Sequence, residues 1–166
     1  INPIWATGSK TFQANVPDDA QIARPLSQTY FALCFDKNLT TEALQKRYHR
    51  GQIALYALLV FLLFFLLDKY FSHLSLGLRC IVLALFIAHP LHVEVVANIK
   101  SADELLASIL LVSGLLALPY STTSSTHHPA YRGCLIVLSL FLFVLGHKAK
   151  QNILMFAPLI LLLLAI

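Results

Sequence analysis

Residues 52–67 read QIALYALLVFLLFFLL. The apolar run is continuous rather than alternating, and rich in Leu and Phe, so it is neither a half-buried strand nor a strand of a membrane barrel. A helix of this composition has no polar face to offer water. It suits a bilayer, whose hydrocarbon core is about 30 Å thick and takes roughly 20 apolar helical residues per crossing. Backbone groups in lipid must be satisfied within the segment, and a helix does that.

Further runs of the same kind follow along the chain. Residues 76–88 (LGLRCIVLALFIA), 134–146 (CLIVLSLFLFVLG) and 153–166 (ILMFAPLILLLLAI) are each almost wholly apolar, and 105–118 is apolar after a polar lead-in that starts near 93. The expected fold is an all-α polytopic transmembrane bundle. It has about five membrane helices, near 52–67, 76–88, 93–118, 134–146 and 153–166, and one interfacial helix. Composition agrees: 58% of residues are hydrophobic and 12% charged, against about 25% charged in soluble domains. The chain starts at Ile1 and its last apolar run has no flanking charge, so the sequence reads as a piece of a longer polypeptide. Three cysteines without CxxC spacing say nothing of redox compartment.

Residues 1–51 read as an extramembrane or interfacial segment, punctuated by Pro3, Gly8, Pro17 and Pro25. Within it PLSQTYFALC (25–34) suits a short helix lying in the membrane interface, with Trp5 and Tyr30 at headgroup level. Loops 68–75 and 119–133 share one side of the membrane; the second is the low-complexity linker containing STTSSTHH. If each helix crosses once, the N-terminal segment, 89–104 and 147–152 share the other side. Every chemistry-bearing motif then falls on that side. The positive-inside rule does not orient it: Lys100, Lys148 and Lys150 on the motif side balance Lys69, Arg79 and Arg132 opposite.

The richest motif is His89-Pro90-Leu91-His92-Val93-Glu94. Pro90 ends one helix, and a helix restarting near Leu91 puts Glu94, Asn98 and Ser101 on one face, with Lys100 and Glu104 as an i, i+4 pair beside it. Three readings stand. His89, His92 and Glu94 offer divalent-metal ligands, without HExxH spacing. The same groups could line a polar pocket for a phosphorylated or lipid-linked substrate. They could equally anchor a helix end at the interface. Arg24 supplies a bidentate phosphate donor or an interfacial cation. His49, Gln52 and Tyr56 form a polar helix face, which suits a bundle interior or a helix–helix hydrogen bond. His147–Asn152 is a basic turn of the kind that binds lipid headgroups. Asp18-Asp19 fits a solvated turn or a carboxylate pair, and Asn38-Leu39-Thr40 is a glycosylation sequon. The net charge of +4 is modest and its cations flank apolar runs, so nothing points to nucleic acid. No cofactor motif is present.

HPLHVEVVANIKSADELLA (89–107) resembles the signature of the membrane portion of the transmembrane and tetratricopeptide-repeat (TMTC-like) family, within the GT-C superfamily of glycosyltransferases. Three more matches follow the family's order. Arg24-Pro25-Leu26 resembles its RPL. His49-Arg50-Gly51-Gln52 with Tyr56 resembles its H-x-x-N helix entry. Lys150-Gln151-Asn152 with Pro158 resembles its K-E-x…P turn. Three positions depart: Gln52 for Asn, Ala102 for Arg and Gln151 for Glu. The resemblance implies sugar transfer from a polyprenyl-phosphate carrier to a protein or other acceptor, on the external or lumenal face. It implies Glu94 and His92 as catalytic groups. It gives Arg24, Lys100, Lys150, His89 and Asn98 to the substrate and its phosphate; no cofactor is expected, with a divalent metal left open by the His/Glu cluster. The ANIK wording is closer to bacterial members, which implies the bacterial inner membrane rather than the endoplasmic reticulum. The alternatives are a non-catalytic membrane scaffold that keeps the helical framework, and a transporter or metal-dependent membrane hydrolase resting on the His/Glu cluster.

Overall fold

A computed structural model describes residues 25–36, 39–119 and 129–150. Every regular element among them is helical: α1 (Pro25–Cys34), α2 (Thr41–Tyr70), α3 (Leu76–Ala88), α4 (Pro90–Ala97), a 3₁₀ turn (Ile99–Ser101), α5 (Ala102–Ala117) and α6 (Pro129–Ala149). The expected helix at 153–166 lies outside the described residues.

Local chemistry sets the helix ends. Thr40 caps α2, its hydroxyl accepting from the Ala43 amide at 3.4 Å, and Lys46 bonds Glu42 one turn on at 2.6 Å. So α2 starts eleven residues before the apolar run and continues through the expected boundary at 51–52. Ser75 caps α3 through the Leu78 amide. His89 ends α3 and caps α4, whose first residue is Pro90, a position where the missing N–H costs nothing. The two helices bend by 56° at this break.

The expectation of one helix over 93–118 is corrected. At Asn98 the backbone turns extended (φ −92°, ψ 108°), and its side-chain oxygen accepts from the Lys100 amide at 3.1 Å. That local bond competes with the helical ladder. A 3₁₀ turn intervenes before α5 begins. Glu94, Asn98 and Ser101 therefore do not share a helix face.

Helix α5 is the centre of the bundle, packed between α2 and α6. Leu105 and Val112 meet Leu59 of α2, with Leu55, Tyr56, Phe86 and Val95 around them. Ala107, Leu111, Leu115 and Leu118 form a second cluster with Ala149 of α6, against which Phe143 packs. Close approach is possible because Gly114 has no side chain: a Cβ there would lie 2.7 Å from the Phe143 ring. Ser139, fully buried, donates to the Gly114 carbonyl at 2.8 Å across the same crossing. Gly51 plays a similar part for α1, since Tyr30 lies against it.

Outward faces are apolar. Ile53, Phe61 and Phe65 on α2, Ile81 and Leu85 on α3, and Val137, Phe141 and Val144 on α6 are all exposed, and α3 buries no residue at all. Apolar surface on this scale is consistent with a membrane protein. α2 and α6 are each long and apolar enough to cross a membrane, and a third crossing is counted if the bent pair α3–α4 is one span.

Two ends of the bundle are defined by long-range polar bonds. At one, Gln52 of α2 donates to the carbonyls of Asn98 (2.9 Å) and Ile99 (3.2 Å), and Lys150 after α6 pairs with Glu104 of α5. At the other, Lys69 donates to the carbonyls of Leu115, Leu116 (2.7 Å) and Leu118, and the Tyr70 hydroxyl to that of Leu115 (2.9 Å). A cation among the last carbonyls of α5 meets the negative end of its dipole. Arg79 and Asp68 join α3 to α2 at this same end. With bonds at both ends, the 3₁₀ turn and α5 run alongside the stretch of α2 from 52 to 69, about 26 Å at 1.5 Å per residue.

Candidate functional site

The Gln52 end gathers most of the residues singled out from sequence. Gln52 is fully buried and holds the joint between α4 and α5 by two bonds from its Nε2. Its acceptors are carbonyls of the extended Asn98 and of the 3₁₀ turn. One turn further into α2, the Tyr56 ring stacks near Phe86 (centroids 6.5 Å, planes 13° apart) and lies 5.9 Å from His92. The His92 ring packs on Phe86 at 4.1 Å and is 5.9 Å from His89. Pro90 and the bend at 89 fold His92 back over the α2–α3 crossing.

The two expected catalytic groups separate here. His92 is half-buried against Phe86, whereas Glu94, two residues on and so on the far face of α4, is exposed. His89 is exposed and its Nδ1 accepts from the Leu91 amide at 3.3 Å, so its role in the fold is a helix cap. Asn98 caps the 3₁₀ turn, and Lys100 is exposed beside it. His49 is exposed and does not join Gln52 and Tyr56 in the interior. The Lys100–Glu104 pair is corrected: Glu104 pairs instead with Lys150, which ties the end of α6 to the start of α5. Lys150 is thereby committed to a carboxylate. Arg24, Asp18, Asp19, Gln151, Asn152 and Pro158 lie outside the described residues.

Among the described residues no three His, Cys, Asp or Glu side chains are placed to hold a metal ion. His89, His92 and Glu94 do not form a ligand set, because α4 turns Glu94 away from the two imidazoles.

Several polar groups that sequence did not single out matter to this arrangement. Asp103 is buried in the first turn of α5 and accepts from the Glu104 amide at 2.9 Å, where a carboxylate complements the helix dipole. Ser139 and Lys69 carry the crossing and the opposite end. Lys69-Tyr70 directly after an apolar run was the available signal for that end.

Tyr30 on α1 is held against α2, and the Tyr48 hydroxyl donates to the Phe31 carbonyl at 3.2 Å. Burial, and then the neighbouring Cys34 thiol, push the Tyr30 phenol up to about 12.

No known protein family, characterised protein or solved structure matches this chain.

Proposed function

We propose that this chain is part of a multi-pass GT-C-like membrane glycosyltransferase of the TMTC-like kind, with about five spans counting the run at 153–166. It transfers a sugar from a polyprenyl-phosphate carrier to a protein or other acceptor at the external face of a bacterial inner membrane. The observation that carries the reading is the meeting, at one end of the bundle, of motif blocks far apart in sequence: Gln52 on Asn98 and Ile99, and Lys150 on Glu104. A site for a lipid-linked phosphate needs polar groups gathered at one end of the bundle, and the meeting of these blocks supports that reading.

Sugar transfer needs a base near the acceptor hydroxyl and cations near the departing phosphate. Glu94, exposed on α4, is the base in this reading. Lys100, exposed at the α4–α5 joint, serves the phosphate better than Lys150, whose charge Glu104 already meets. Arg24 is the second cation and His92 lines the site. In the full-length protein, Glu94→Gln is expected to abolish transfer from a polyprenyl-phosphate sugar to acceptor, read as radiolabel moved. Wild-type turnover in that variant would remove Glu94 from the site.

A second reading, a non-catalytic scaffold, draws support from Ala102. It is fully buried where the resembled family carries Arg, so the fold has no room there for the family's cation. Wild-type protein that transfers no sugar from any polyprenyl-phosphate carrier, while still assembling in the membrane, would favour it.

A further inference from the structure

Directly beneath α4, two buried polar atoms of α2 have no hydrogen-bond partner: Gln52 Oε1 and Tyr56 Oη. They belong to residues one helical turn apart, hence on one face. That face is turned to α4, because Gln52 Nε2 reaches the Asn98 and Ile99 carbonyls and the Tyr56 ring lies beside His92. Neither atom touches solvent. Buried polar atoms are nearly always paired, so this arrangement carries a cost that opening to water would relieve.

The cover itself is weakly held. α4 has eight residues and buries none of them. It is bounded by non-helical backbone at both ends, His89 (φ −68°, ψ 127°) and Asn98 (φ −92°, ψ 108°). Inward, the His92 ring packs on Phe86 and beside Tyr56, and only Val95 reaches the core of Leu59, Leu105 and Val112. Its far end is pinned by the two Gln52 bonds, whereas its near end meets α3 at a 56° bend. Helix α5, by contrast, buries half its length and is tied at both ends.

We propose that α4 is a flap hinged at both ends, at His89 and at the Asn98–Ile99 joint held by Gln52, whose outward rotation about these two points uncovers a polar seat made by Gln52 Oε1, Tyr56 Oη and the His92 ring. Opening gives both orphaned atoms water, or the hydroxyl of a bound molecule, as a partner. The flap does not depend on which reaction, if any, the bundle performs.

Hydrogen–deuterium exchange on the full chain in lipid nanodiscs tests it. The amides of α4 are expected to exchange at least tenfold faster than those of α5. Tyr56→Phe deletes one orphaned atom from the closed state, so it is expected to slow α4 exchange by about tenfold and leave α5 unchanged. Amides of α4 as protected as those of α5 would overturn the flap. So would a Tyr56→Phe variant whose α4 exchanges as fast as, or faster than, wild type.

Discussion

Replacing Gly114 with alanine puts one methyl group into the close crossing of α5 and α6. The new Cβ would stand 2.7 Å from Phe143 Cε1 and 3.0 Å from Cδ1, well inside the 3.5–4.0 Å at which carbon atoms attract. The ring has to move, next to the Ser139 hydroxyl that is bonded to the Gly114 carbonyl. Overpacking of this kind costs about 1–3 kcal/mol, while the gain in helix propensity returns about 0.5–1 kcal/mol. The net loss is about 0–2.5 kcal/mol. Gly77 on α3 and Gly133 on α6 are internal controls, because a Cβ at either meets nothing within 4 Å. Gly77→Ala and Gly133→Ala keep only the propensity gain of about 0.5–1 kcal/mol. Reversible unfolding in mixed micelles measures all three. Adding Phe143→Ala completes a double-mutant cycle, in which Gly114→Ala becomes neutral or stabilising once the ring is gone. If Gly114→Ala is no worse than Gly77→Ala, or costs the same with and without Phe143, the described crossing of α5 and α6 is wrong.

Lys69→Met leaves the carbonyls of Leu115, Leu116 and Leu118 without their cation. It is expected to cost about 1–3 kcal/mol in the same unfolding assay, and to speed amide exchange at the C-terminal end of α5 before its N-terminal end. Tyr30 gives a pH prediction. Its phenol sits above the ordinary value near 10, at about 12, because the folded state disfavours the charged form. The contribution is therefore fully present below pH 10 and is lost as pH rises towards 12. Tyr30→Phe should flatten the fall in stability across that window, and the missing phenolate absorbance at 295 nm should belong to the last tyrosine to titrate.

The apolar runs could be read directly. PLSQTYFALC became α1 and LGLRCIVLALFIA became α3 with the residues expected, because Pro25, Ser75 and the His89-Pro90 pair mark their ends locally. The start of α2 at Thr41 was also written locally, in Thr40 and the Glu42–Lys46 pair, but hydropathy looks past a polar turn. The break at Asn98 is different. VEVVANIKSADELLA has a helical pattern throughout, and the break rests on the Asn98 side chain together with Gln52, 46 residues away, which takes up the carbonyls the break frees. No local pattern reports such a bond. The same holds for the site. Glu94 and His92 look like partners in sequence, yet α4 carries them on opposite faces. Lys150 looks like a free cation until Glu104 is found beside it. What was readable was which polar groups share an end of the bundle. What each one bonds there depends on tertiary packing.

Single-cysteine labelling in sealed vesicles tests most directly whether these groups share one end of the bundle. With Cys34, Cys80 and Cys134 replaced by serine or alanine, one cysteine is placed in turn at His49, Lys100, Lys148 or His73, all exposed. A membrane-impermeant maleimide is then applied from one side. Positions 49, 100 and 148 are expected to label together from one face and position 73 only from the other. Position 100 or 148 labelling with 73, or 49 labelling apart from 100, would contradict that shared end.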